Sequence, residues 1–188
     1  GFTRFSEGPE TPLRGQDASV EVTITLGEAA KGGHKRVTLP TGKTLDVRIP
    51  AGLSDGQQIR LKGQGWPGPR GAPAGDALVT VHIAPHPHFK VEGANLRVDL
   101  PITLYEAVLG GKVRVPTLDG AVELAIPPGT NAGRTFRLKG KGLPAKSGTG
   151  DLLATVRIVL PERPDPELEA LMRRWRDEKP YNPRSDLA

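Results

Sequence analysis

Ile59-Arg60-Leu61-Lys62-Gly63-Gln64-Gly65 and Phe136-Arg137-Leu138-Lys139-Gly140-Lys141-Gly142 are one motif written twice, at an offset of 77 residues. Working outward, Val47-Arg48-Ile49-Pro50 returns as Leu124-Ala125-Ile126-Pro127, Gly52 as Gly129 and Gly56 as Gly133. Gly75-Asp76 returns as Gly150-Asp151 after a small loop change. Upstream the offset becomes 78, so Thr25-Leu26 and Glu28-Ala29 match Thr103-Leu104 and Glu106-Ala107. A repeat of this length is too long for one turn of a solenoid and describes a duplicated small domain. A chain of 188 residues then holds two domains, each of roughly 70 residues and only marginally stable on its own.

Around the motif the apolar residues alternate, which is the mark of half-buried strands. Val20, Val22, Ile24 and Leu26 share one face, with Glu21, Thr23 and Thr25 on the other. A short helical turn closed by Gly32-Gly33 follows, then Val37 and Leu39, then Leu45, Val47 and Ile49, then Ile59 to Lys62, and finally Asp76 to Ile83. The second half replays this order from Leu96 to Leu160. The expected fold is therefore all-β: two tandem antiparallel β-sandwiches, over residues 18–88 and 89–162, each with a short helical turn. Residues 1–17 lack either period and read as a linker. Over 163–188 the pattern becomes helical: Asp165 suits an N-cap, Pro166 the first helical position, and Leu168, Leu171, Met172 and Trp175 form one apolar stripe.

Composition excludes several function classes. There is no cysteine, so disulfides, a thiolate nucleophile and Cys-based zinc sites are ruled out and a reducing compartment is suited. No apolar run reaches the length of a membrane span and no signal peptide is present, so a cytoplasmic location without membrane partners is expected. The only methionine is Met172, and the chain is expected to be a piece of a longer one. The net charge of +5 leaves a DNA-associated role open. The basic residues are nevertheless spread over both halves and the tail, and a solvated basic surface is the favoured reading.

Catalytic candidates are few. Three of the four histidines lie in His82-Ile83-Ala84-Pro85-His86-Pro87-His88, where the prolines impose extended geometry and direct His86 and His88 apart, with no carboxylate or thiolate cluster beside them. Gly63-Gln64-Gly65 and Gly140-Lys141-Gly142 lack the spacing of a phosphate loop. Asp76 and Asp151 are equivalent by duplication, so they are expected to be structural turn residues. No catalytic residue, metal site or cofactor is assigned, and the chain is not expected to be an enzyme.

Duplication supplies an internal test, because matched positions share one structural job. The halves agree at Ile24 and Ile102, Ile49 and Ile126, Leu61 and Leu138. They disagree at Leu39, which becomes Thr117, and at Val79, which becomes Ala154. Either packing differs locally, or the first half carries an apolar pocket.

The run DLPITLYEAVLGGKVRVPTLDG of residues 99–120, the run IPPGTNAGRTFRLKGKG of 126–142 and the connector PHPHF of 85–89 resemble the C-terminal substrate-binding region of DnaJ-family J-domain co-chaperones. The resemblance covers about residues 18–162. The absence of the CxxCxGxG repeats makes the chain similar to the type lacking the zinc-finger module, the CbpA-like or class B members, and the J domain with its His-Pro-Asp motif is also missing.

The resemblance implies a heat-shock type co-chaperone that binds unfolded polypeptides in a hydrophobic groove of the first sandwich and delivers them to a DnaK-type ATPase chaperone. Carried over by position, the groove residues are Val20, Val22, Val37, Leu39, Leu61 and Val79, and inclusion of Leu39 and Val79 tips the two readings above toward a pocket. Lys35 falls near the basic rim where some relatives accept the acidic tail of the ATPase. The resemblance also implies a homodimer through the C-terminal end, for which Leu168, Leu171, Met172 and Trp175 are the candidates.

Overall fold

The structure is a computed structural model that describes residues 13–187, so most of the linker assigned to 1–17 lies outside the described residues. Strand β1 (Ala18–Ile24) runs into helix α1 (Leu26–Lys31), and strands β2 (Gly33–Thr38), β3 (Thr44–Ile49), β4 (Gln57–Leu61) and β5 (Ala77–Ile83) complete the first repeat. After β6 (Phe89–Glu92) the second repeat follows as β7 (Asn95–Thr103), α2 (Leu104–Leu109), β8 (Gly111–Thr117), β9 (Gly120–Ile126), β10 (Thr135–Leu138) and β11 (Leu152–Val159). Helix α3 (Pro166–Glu178) closes the chain. The fold is thus mainly strand, with two short helical turns and one C-terminal helix.

The two short helices form for the same local reasons. Thr25 Oγ1 accepts from Glu28 N–H at 3.1 Å while the Glu28 carboxylate accepts from Thr25 N–H at 3.0 Å, and Thr103 with Glu106 repeats the exchange. Each reciprocal cap satisfies donors that a helix start would otherwise leave bare. Each helix also stops at a glycine with positive φ, 71° at Gly32 and 77° at Gly110. A Cβ there would meet the carbonyl oxygen of Ile49 at 2.7 Å or of Ile126 at 2.6 Å, so glycine is needed for conformation and for space.

The strands assemble into a three-stranded sheet β1-β5-β4, a four-stranded sheet β10-β11-β7-β6, and two-stranded sheets β2-β3 and β8-β9. β2 and β3 are antiparallel, with Lys35 opposite Val47 and Val37 opposite Leu45. β4 and β5 are antiparallel too. β1, however, runs parallel to β5, with Val20 opposite Val79 and Val22 opposite Val81. The first sheet is therefore mixed, a detail beyond the expected antiparallel sandwich. Alternation reports which face of a strand is buried and is blind to the direction of its neighbour.

Contacts divide the chain into two compact units, one of Gly1–Val98, Pro116–Ala121 and Arg137–Ala154, the other of Asp99–Val115, Val122–Phe136 and Thr155–Ala188. In the first, Ile24, Val37, Leu39, Val47, Ile49, Leu53, Val79 and Val81 form the core, with Val20, Val22, Leu45, Ile59, Leu61 and Ile83 packed against it half-buried.

The duplicated aspartates are structural. Asp76 Oδ1 accepts from Gly63 N–H at 3.0 Å, Oδ2 accepts from Arg60 at 2.7 Å, and its own N–H donates to Asp17 Oδ1 at 2.7 Å. Asp151 does the same with Gly140 at 2.9 Å, Arg137 at 2.6 Å and Asn95 at 2.8 Å. The Gly63 amide, then Arg60, hold the Asp76 carboxyl down to about 2 against the opposing effect of burial. The Gly140 amide and Arg137 lower Asp151 likewise.

Candidate functional site

The six carried-over groove residues occupy two environments. Val37, Leu39 and Val79 are 3%, 2% and 0% exposed, which makes them floor and not contact surface. Val79 sits on the central strand β5, opposite Val20 on one side and Ile59 on the other. Val20 and Val22 are half-buried on β1, and Leu61 is half-buried on β4. Among the described residues β1 and β4 are the two edges of the sheet, and Leu61 pairs with Ala77, across from Ala18, while Ile59 stands across β5 from Val20.

Burial puts Leu39 and Val79 in the core, so their size differences from the second repeat do not by themselves mark a pocket. Ala154, the partner of Val79, is also 0% exposed, so that pair differs in core packing. Thr117, the partner of Leu39, donates its hydroxyl to Gly120 O at 3.0 Å and serves the β8–β9 turn. The readable difference between repeats lies instead at the strand edge. Among the described residues β1 has β5 on one side and no strand on the other. Its counterpart β7 is covered over Asn95 to Val98 by β6, with Phe89 opposite Val98 and Glu92 opposite Asn95. Among these residues β2 likewise has a neighbour, β3, on one side only. An open strand edge presents a row of amide and carbonyl groups ready to pair with another chain.

Lys35 stands on β2, with Nζ 3.8 Å from the Glu28 carboxylate of α1. The Thr25 amide and, to a smaller degree, Lys35 lower the Glu28 carboxyl. Position 113 in the second repeat is valine, so this rim charge belongs to the first repeat alone.

A second surface surrounds α3. The helix is built as its sequence requires: Asp165 accepts from Glu167 N–H at 2.9 Å and Leu168 N–H at 3.0 Å, and Glu169 reaches Arg173 at 3.6 Å. None of its residues is buried. Leu168, Leu171, Met172 and Trp175 line a cavity of about 1200 Å³ whose other wall includes Tyr105, Val108 and Leu109 of α2. Tyr105, Val108 and Leu109 are 68%, 59% and 72% exposed. Sequence reasoning passed over these three, yet the repeat pointed to them: their counterparts on α1 are Gly27, Ala30 and Lys31. Large apolar groups stand in the second repeat where the first needs none.

His86 and His88 are closer than the proline argument implied, with ring centroids 5.8 Å apart. His86 Nδ1 accepts from the backbone N–H groups of His88 at 3.0 Å and Phe89 at 3.3 Å. The ring caps a turn that the prolines alone would leave extended. Among the described residues no helix is long and apolar enough to cross a membrane.

With this geometry in view the family follows: residues 18–161 match the DnaJ C terminal domain model, and the chain belongs to that family. Among individual proteins it is similar to the "Curved DNA-binding protein" of Escherichia coli O9:H4 strain HS, of strain K12 / DH10B and of O157:H7 strain EC4115. Each is 45% identical over an alignment covering 92% of this chain and 61% of the relative. The chain thus spans about three fifths of the length of these curated relatives.

Proposed function

We propose that the chain binds unfolded polypeptides as a co-chaperone of the DnaJ type, capturing an extended client segment at the open edge of β1 in the first repeat. The observation that carries this reading is the β1 edge, bare among the described residues and with Val20 and Val22 half-buried on it, set against the covered edge of β7. The client supplies a strand, and alternate apolar side chains lie over Val20 and Val22 with Val37, Leu39 and Val79 as the floor beneath. Each anchoring side chain contributes about 1.5–3 kcal/mol, from which ordering costs are subtracted, so binding is weak and exchangeable. Leu61 keeps a place on the far edge, and Lys35 marks a basic rim suited to an acidic tail of the partner ATPase.

Delivery to a DnaK-type ATPase would need a J domain from outside these residues. The α2–α3 cavity suits a second copy of the chain, with Leu168, Leu171, Met172 and Trp175 at its centre, because an exposed apolar surface of this extent calls for a cover. In domain terms, 18–88 captures clients, 89–162 supports and 163–188 dimerises. A chemical-shift map with an extended apolar peptide tests the assignment: β1 and β2 amides should move while those of β7 stay in place. Movement confined to α2 and α3 would reject it.

A second reading is favoured by the name of the relatives and by the net charge of +5: the chain binds DNA. Salt separates the two. DNA affinity should fall steeply as salt rises through counterion release, whereas apolar peptide capture should hardly change.

A further inference from the structure

A cavity of about 790 Å³ lies within the first compact unit, at the end of the sheet where β1 runs into α1 and β5 stops. Leu26, Leu53, Phe89 and Leu143 line it and are 2%, 4%, 5% and 8% exposed, so they form an apolar floor. The walls are held by the backbone. A Cβ on Gly52 would meet Pro144 O at 2.5 Å. Leu143 N–H donates to Ala94 O, and Leu143 O accepts from Gly150 N–H, both at 2.8 Å. The cavity is therefore built into the fold and has the size of a small-molecule site.

The polar groups on its wall sort by what their own bonds leave over. His86 Nδ1 accepts two backbone N–H groups, so the ring proton sits on Nε2 and that nitrogen is a donor. Gln57 Oε1 accepts from Ser54 N–H at 3.2 Å, which leaves the amide NH2 to donate. Lys90 and Lys146 line the cavity with exposed side chains, and an ammonium group can only donate. Among the described residues Asp55 is the one carboxylate of the lining. It accepts from Ile83 N–H at 2.7 Å and lies 3.9 Å from His82 Nδ1. What remains on offer is chiefly donors and positive charge above an aliphatic floor.

We infer that this cavity is a binding site for an aliphatic monocarboxylate, with the chain on Leu26, Leu53, Phe89 and Leu143 and the carboxylate received by Lys90, Lys146 and His86 Nε2. The chain supplies affinity, since each methylene withdrawn from water adds to it. The charge selects the ligand, since donors with positive charge favour a carboxylate over an alcohol of equal length and oppose an ammonium. The site is separate from Val20 and Val22 and does not rest on client binding.

The test titrates the whole chain with decanoate, decanol and decyltrimethylammonium below their micelle thresholds and follows methyl and amide chemical shifts. Decanoate should move the methyl groups of Leu26, Leu53 and Leu143, decanol should bind several-fold more weakly, and the ammonium should leave these methyl groups in place. Lys90→Gln with Lys146→Gln changes two exposed side chains. That variant should bring decanoate down toward the affinity of decanol and leave decanol unchanged, a split that a damaged fold would not produce. Decanoate shifts that miss these methyl groups overturn the site. Equal binding of the three amphiphiles, or decanoate affinity indifferent to the lysine changes, overturns the monocarboxylate. A peptide with an apolar C-terminal residue that moves the same methyl groups where decanoate does not assigns the cavity to a chain end and overturns it as well.

Discussion

The two repeats share a skeleton down to single hydrogen bonds and differ at two surfaces. Both carry the reciprocal Thr/Glu cap, the glycine stop and the aspartate that gathers an amide and an arginine. Among the described residues the first leaves β1 bare where the second covers β7. The second puts Tyr105, Val108 and Leu109 on the outside of its short helix where the first has Gly27, Ala30 and Lys31. Duplication fixed the fold twice, and each copy was then free to change what lies outside the shared bonds. A strand edge and an outer helix face are such places, since altering them leaves the core intact.

The separation of floor from edge in the first repeat breaks most visibly at Leu39. Leu39→Ala should lower unfolding stability by about 2–5 kcal/mol in denaturant titration, because a fully buried side chain leaves a cavity. If it costs no more than a surface change, Leu39 is not core and the groove floor is wrongly drawn. Exchanging Leu39 and Val79 for the threonine and alanine of the second repeat therefore confounds stability with capture.

Making α2 resemble α1 probes the other difference. Val108→Ala with Leu109→Lys should weaken self-association by about tenfold or more, read by sedimentation across a dilution series, since truncating central apolar contacts removes most of an interface's energy. Trp175→Ala should act in the same direction. A dimer indifferent to both changes would place the interface away from this cavity.

Acid tests the bond that the repeats share. Asp76 has its carboxyl held at about 2 from an ordinary 3.8, so its contribution is present above the unfolded value and is lost as pH falls from about 4 toward 2. Thermal stability should decline through that window in the wild type and more shallowly in Asp76→Asn. An equal decline in both would shift the acid sensitivity to other carboxylates. Asp151, lowered in the same direction by Gly140 and Arg137, should give a similar difference for Asp151→Asn.

Much of this was legible in the residues. The duplication gave the repeated order of strands and short helices, alternation gave most strands, and Asp165-Pro166 with the Leu168–Trp175 stripe gave α3 nearly residue by residue. Strand partnership was not legible, because alternation fixes a face and not a neighbour, and so the parallel β1–β5 pair and the open edge came only with the structure. For the candidate site the residues gave strand and face but not depth. Val20 and Val22 were placed on an accessible strand, whereas Leu39 and Val79 show that a residue-size difference between repeats cannot tell a pocket from a repacked core. The same comparison applied to α2 would have revealed Tyr105, Val108 and Leu109, whose change is from small or charged to large and apolar on a face that α1 shows to need no cover.

The smallest effect belongs to the β1 edge itself. Val20→Thr with Val22→Thr keeps two β-branched strand formers and should cost little stability, since both side chains are only half-buried. It removes apolar contact at the proposed client face, and affinity for an extended apolar peptide should fall by about three- to tenfold. Backbone pairing survives the change, so capture should be weakened and not abolished. Unaltered affinity would mean that the edge is open without being the site. Loss as large as that of a core cavity would mean that the two valines belong to the floor.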